Sequence, residues 1–200
     1  PDDGVLGEEG ASVTGTSGLT WVVDPIDGTV NYLYGLPHYA VSIAVVEGDP
    51  DPLPWTSKIG VGLNPATGAL FTAEAGAGAF CGDRRLRVGE PVSLDLALIA
   101  TGFAYKAETR AFQGDVVARL LPQVRDIRRQ GTASLDLCFV ADRRYDAYFE
   151  RTLSPWAHAA GALIAREAGA SVIGMRGAAP SRYFILAAEP AAAAAPEALL

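Results

Sequence analysis

Apolar positions in the first half of the chain fall into short strand-length stretches. Trp21–Val23 predicts a strand, and Ala40–Val46, nearly continuous in apolar residues, predicts one buried on both faces. Ile59–Leu63 and Ala69–Ala73 flank the turn sequence NPATG, so they predict a hairpin. Ala79–Cys81 and Leu86–Val88 predict a second one, around GDRR. The first twenty residues, with five glycines and little periodicity, read as loop, and EGDPDPLP, with three prolines, as a polar turn.

From Leu98 the pattern changes. LIATGF predicts a strand and Thr109–Val124 a helix, with apolar Phe112, Val116, Val117, Leu120 and Leu121 at helical spacing. DIRR predicts a short strand, Ala133–Ala141 a helix and YDAYFE a strand. Pro155–Ala168 predicts a strongly amphipathic helix ended by Gly169. SVIG and FILAA predict strands, and the Ala-rich tail a helix. The chain therefore divides into a strand-rich part, residues 1–98, and an α/β part, residues 99–200.

Chemistry concentrates where the first strand ends. In WVVDPIDGT, Asp24 follows three apolar residues, Pro25 holds it extended, and Asp27 lies three positions on in a turn. Two carboxylates converging on one point repel unless a cation lies between them, and a hard divalent ion with oxygen ligands suits that place. Gly28 and Thr29 open a short helix whose backbone N–H groups point outward, toward an anion. Taken alone, DPIDG reads equally as a polar turn with Asp27 as an N-cap. Upstream, Glu8 and Glu9 sit in a glycine-bounded loop and take on meaning only beside such a site.

Composition narrows the classes. Half of the 200 residues are hydrophobic and a fifth charged, which is globular rather than disordered. A net charge of −7, with Lys58 and Lys106 the only lysines, argues against a nucleic-acid partner. It leaves a phosphorylated substrate open, because a bound cation reverses the local sign. Cys81 and Cys138 lack metal-type spacing and read as buried free thiols, which fits a cytoplasmic protein. No apolar run approaches the roughly 20 residues that span a bilayer, and no signal peptide is visible.

Six pieces, in order, carry a resemblance to the inositol monophosphatase family of lithium-sensitive, metal-dependent phosphomonoesterases. They are GEE at 7–9, WVVDPIDGTVNYLYGLP at 21–37, NPATGALFTAEAGAGAF at 64–80, GTAS at 131–134, DAYFE at 146–150 and WAHAAGALIAREAGA at 156–170. The resemblance implies an αβαβα sandwich, here without the helices that precede Glu8 in the family, and a homodimer. It implies two or three Mg²⁺ ions, with Li⁺ inhibitory. Glu8, Asp24 and the Ile26 carbonyl would hold the first ion, and Asp24 would bridge to a second, which Asp27 would also hold. Thr29 would orient the attacking water, and the Gly28 and Thr29 amides would hold the phosphate. Gly131, Thr132, Ala133 and Glu150 would contact the alcohol portion. Inositol-1-phosphate leads the implied substrates, with histidinol phosphate, fructose 1,6-bisphosphate and 3′-phosphoadenosine nucleotides as alternatives.

One position departs from the family pattern. Its second signature, Trp-Asp-x-Ala-Ala-Gly, here reads Trp156-Ala157-His158-Ala159-Ala160-Gly161, so Ala157 stands where the family places an aspartate ligand of the second ion. His158 is a poor substitute: adjacent helical positions point about 100° apart, and Mg²⁺ prefers oxygen to imidazole. It reads as a surface or packing residue. The departure predicts an intact fold and first metal site with impaired catalysis. A non-catalytic, regulatory relative that keeps the fold is the competing expectation.

Overall fold

The computed structural model describes residues 2–10, 12–48 and 55–193. Most of the Pro-rich turn and the end of the Ala-rich tail lie outside these residues. The chain opens with β1 (Gly4–Gly7) and β2 (Ser12–Val13), so the glycine-rich start is not all loop. The absence of periodicity misled here because β1 owes its place to pairing rather than to alternation: it runs parallel to β3 (Leu19–Asp27). A short helix, α1 (Thr29–Leu33), follows.

The sheet then grows by antiparallel neighbours: β4 (Ala40–Glu47), β5 (Thr56–Asn64), β6 (Ala69–Glu74), β7 (Gly78–Cys81) and β8 (Arg84–Arg85). Its eight strands lie in the order β2-β1-β3-β4-β5-β6-β7-β8. The second expected hairpin closes one step earlier than its apolar residues suggest: Arg84 and Arg85 pair with β7, and Leu86 turns inward as a fully buried side chain.

The second half supplies β9 (Leu98–Thr101), α2 (Ala107–Leu120), β10 (Asp126–Arg128), α3 (Ala133–Ala141), β11 (Ala147–Glu150), α4 (Pro155–Glu167), β12 (Ser171–Ile173) and β13 (Ile185–Ala188). Its five strands lie in the order β10-β9-β11-β13-β12. Alternation along them separates two cores. Ala100, Tyr148, Ile185 and Ala187 face α3 and α4, whereas Ile99, Phe149 and Leu186 face Val116 and Leu120 of α2. The layers are therefore sheet, α3 and α4, sheet, α2: a layered α/β sandwich.

Two expectations about burial change. α4 is not amphipathic, because Ala157 through Ala165 are all buried. A helix held between two sheets has no solvent face, and its small residues permit close approach. A Cβ on Gly60 of β5 would stand 2.8 Å from the Ala160 carbonyl oxygen, and one on Gly161 2.8 Å from the Leu137 Cβ. Nor is β4 packed equally on both sides. Ala40, Ser42, Ala44 and Val46 are buried toward the helices, while Val41 and Ile43 on the opposite face are half-buried. Trp21 and Ile59, in register with Val45, share that outer face and are exposed. Among the described residues no helix is long and apolar enough to cross a membrane.

Candidate active site

Glu8 reaches Asp24 through strand register. Gly7 of β1 lies beside Val23 of β3, and the Glu8 N–H donates to the Val23 carbonyl at 3.2 Å, so the next residue on each strand meets the other. β3 does not stop at Asp24 as expected. It continues to Asp27, with a pairing irregularity between the two aspartates where Pro25 withholds a donor. That irregularity turns both carboxylates toward one cavity of about 240 Å³.

Burial makes the cluster costly. Asp24 is 2% exposed, and its carboxyl is pushed up to about 8, first by burial and then by the charges of Asp27 and Glu8. One oxygen accepts the Ile26 N–H at 3.2 Å. Asp27 is pushed up to about 6, again chiefly by burial, against the hydrogen bonds from Ser134. Its Oδ2 accepts the Ser134 N–H at 2.8 Å, so it caps α3 rather than its own short helix. The Thr29 hydroxyl donates to the Ile26 carbonyl at 3.0 Å, which commits its proton and leaves its oxygen lone pairs free to accept.

Gly28 has a left-handed φ of 90°, and a Cβ there would collide with the Thr132 hydroxyl. This brings the aspartate turn against the GTAS segment. Gly131, Ala133 and Glu150 line the same cavity as Glu8, Asp24, Ile26, Asp27, Gly28 and Thr29. Thr132 does not. It is fully buried, and its hydroxyl donates to the His38 carbonyl at 2.9 Å, so its part is structural. Glu150 accepts the Tyr148 hydroxyl at 2.6 Å and is pushed up to about 7 by burial.

Ala157 also lines the cavity, from the start of α4. His158 does not: it is 3% exposed, packs its ring 6.1 Å from that of Trp55, and is pushed down to about 4 by burial. Both cysteines are free, Cys138 buried and Cys81 only half-buried at the edge of β7.

The cavity also holds residues that the sequence did not single out, among them Phe103, Tyr105, Arg129 and Thr152. Thr152 has φ 67°, an uncommon conformation for a β-branched residue and one that concentrates at functional sites. Asn31, in the first turn of α1, is a further omission. Its amide donates to the carbonyls of His38 and Gln130, each at 2.7 Å, clamping α1 to the GTAS segment. The asparagine after DGTV was the available signal. Arg129, in contrast, had no pattern around it.

The acidic groups here offer hard oxygen donors suited to Mg²⁺. Among the described residues no three His, Cys, Asp or Glu side chains are grouped so that they alone could hold a metal ion. An ion here would therefore complete its shell with the Ile26 carbonyl, water or substrate oxygens, as a small cation that retains waters does.

Comparison with known proteins gives this geometry a context. The model of the inositol monophosphatase family matches residues 1–200. A protein named Nus factor SuhB, from Xylella fastidiosa, is 47% identical over 180 residues, covering 89% of this chain and 62% of that one. Inositol-1-monophosphatase SuhB of Mycobacterium tuberculosis is 46% identical over 182 residues, covering 86% and 61%. The chain thus spans about three-fifths of the length of these two curated relatives. The crystal structure of extragenic suppressor protein suhB from Bartonella henselae superposes with a TM-score of 0.90 at 38% identity, over 100% of this chain and 77% of that one.

Proposed function

From the premise that this chain belongs to the inositol monophosphatase family, we propose that it is a Mg²⁺-dependent phosphomonoesterase acting on a small polyol or sugar phosphate. The observation that carries the reading is the convergence of Glu8, Asp24 and Asp27 on one cavity, with Asp24 driven toward protonation by burial and by the charges of its two neighbours. Carboxylates that burden one another in this way suit a cation bound between them.

In this reading Glu8, Asp24 and the Ile26 carbonyl would hold one ion, and Asp24 and Asp27 would offer oxygens to a second. Bound magnesium supplies charge neutralisation and Lewis acidity. The Gly28 and Thr29 amides present N–H donors to the phosphate oxygens. Thr29, its own proton committed to Ile26, accepts from the attacking water and so fixes the direction of approach. Glu150, anchored by Tyr148, receives a hydroxyl or amine of the leaving alcohol. In-line attack then yields alcohol and inorganic phosphate.

Inositol-1-phosphate is the first substrate we propose, with histidinol phosphate, fructose 1,6-bisphosphate and 3′-phosphoadenosine nucleotides as alternatives. The proposed working form is a homodimer, by analogy with the family, in the reducing cytoplasm that two free cysteines suit. Ala157 leaves the second ion one carboxylate short, so catalysis is weaker than in a chain with aspartate there. Phosphate release from these four esters, with and without Mg²⁺, tests the reading in this chain and in Ala157→Asp. No turnover of any of them by either protein defeats it.

A second reading rests on Ala157 and on the Nus factor name of one relative: a regulatory protein that keeps the fold without catalysis. It expects the melting temperature to be indifferent to Mg²⁺ plus phosphate, whereas a surviving site is stabilised by mass action.

A further inference from the structure

The cavity is acidic except at one point. Among the described residues lining it, Arg129 is the sole cation, against Glu8, Asp24, Asp27 and Glu150. Arg129 follows β10 directly and lines the cavity beside Gly131 and near Glu150, the residues that the resemblance assigns to the alcohol portion. Two contacts hold its side chain there. The guanidinium leans over Gly131, where any Cβ would collide with Nη1, and it lies 5.9 Å from the centre of the Phe103 ring. Gly131, at φ 85°, therefore serves Arg129 as well as the turn into α3.

Among the described residues no carboxylate forms an ion pair with this guanidinium, whereas Arg84, Arg128 and Arg144 have acidic partners. It lies near enough to Glu150 to favour that group's charged form, yet the two make no ion pair. Glu150 instead spends one oxygen on Tyr148. An arginine placed by packing, facing a cavity and unpaired, retains a planar set of donors matched to phosphate or carboxylate oxygens.

We propose that Arg129 is a specificity-determining residue that recognises a second anionic group, phosphate or carboxylate, on the alcohol portion of the substrate. This rests on the phosphomonoesterase reading and narrows it. The ester phosphate would be held at Gly28–Thr29, and Arg129, beside Gly131 and Glu150, would meet the alcohol portion of the same molecule. A neutral polyol phosphate leaves the guanidinium without an ionic partner. A bisphosphate or a phosphorylated acid fills both ends.

The test separates binding from turnover with two phosphonates, whose carbon–phosphorus bond an ester hydrolase does not cleave. 3-Phosphonopropionate carries a carboxylate tail and 3-hydroxypropylphosphonate a neutral one. Titration calorimetry with Mg²⁺ should show the wild-type chain binding the first about tenfold or more tightly than the second, the size expected of a charge-assisted contact. In R129Q the preference should vanish with the affinity for the neutral-tailed compound unchanged, and R129K should keep part of it. Equal affinities in the wild type, or a preference that survives in R129Q, overturn the role of Arg129 and leave the phosphatase reading standing. Failure of both phosphonates to bind the wild type defeats the phosphatase reading, and the role of Arg129 falls with it.

Discussion

Asp27 accepts the backbone N–H of Ser134 at 2.8 Å, joining residues 107 positions apart. The same carboxylate that faces the cavity caps the helix bearing the GTAS segment, while the nominal N-cap, Thr132, turns its hydroxyl to His38. Assembly of the site and capping of α3 are one event. Asp27→Asn keeps an acceptor and removes a charge, so in metal-free protein it should be at least as stable as wild type. Asp27→Ala should lose about 1–2 kcal/mol. Urea unfolding of both variants checks this, and equal loss would show that the cap contributes nothing.

Asp24 makes metal-free stability depend on pH. Its folded value of about 8 lies above the ordinary 3.8, so the folded state binds the proton more tightly than the unfolded chain. Stability is then fullest below about 4 as far as this group is concerned, and it declines as pH rises toward 8. Asp27, raised to about 6, acts in the same direction. The melting temperature in a chelator should therefore fall between pH 5 and pH 8. Added Mg²⁺ should restore more of it at pH 8 than at pH 5. A flat profile would show that the carboxylates are relieved in some other way.

Ala157 should be the position most sensitive to a gain of function. Its small side chain lines the cavity where the family signature carries a carboxylate. Ala157→Asp should raise Mg²⁺-dependent phosphate release on the order of tenfold and should tighten calorimetric Mg²⁺ binding. His158→Ala should leave Mg²⁺ binding unaltered, because the imidazole packs against Trp55 outside the cavity.

Asn31 joins three segments through one amide. Asn31→Ala leaves the His38 and Gln130 carbonyls without this donor in a part-buried setting. It should cost about 1–3 kcal/mol in chemical denaturation. It should also lower substrate affinity, because α1 and the GTAS segment lose their shared anchor. Asn31→Asp should fare no better, since a carboxylate has no proton to donate.

The residues legible from sequence were those whose chemistry is local. Asp24-Pro25-Ile26-Asp27-Gly28-Thr29 announces itself because strand, proline and paired carboxylates are contiguous. α3 begins and ends at Ala133 and Ala141 as its apolar pattern predicts. Two things were not legible. β1 hides among glycines because only its pairing with β3 makes it a strand. α4 reads as amphipathic although both sides are covered, because Arg166 and Glu167 at its end mimic a polar face. Glu167 in fact accepts the Gly76 and Gly78 N–H groups, each at 2.9 Å, and pins the helix end to the β6–β7 turn.

Sequence alone determined which groups can do chemistry here: a strand-end pair of carboxylates, a glycine-threonine turn, and an alanine where a third acid would stand. Only the tertiary structure decided what surrounds them. Parallel register sets Glu8 beside Asp24, close packing over Gly131 turns Arg129 toward the cavity, and α4 carries His158 away from it. The reason is physical. Side-chain identity and backbone propensity act over a few residues, whereas charge, burial and hydrogen-bond partners depend on what long-range packing brings within a few ångströms.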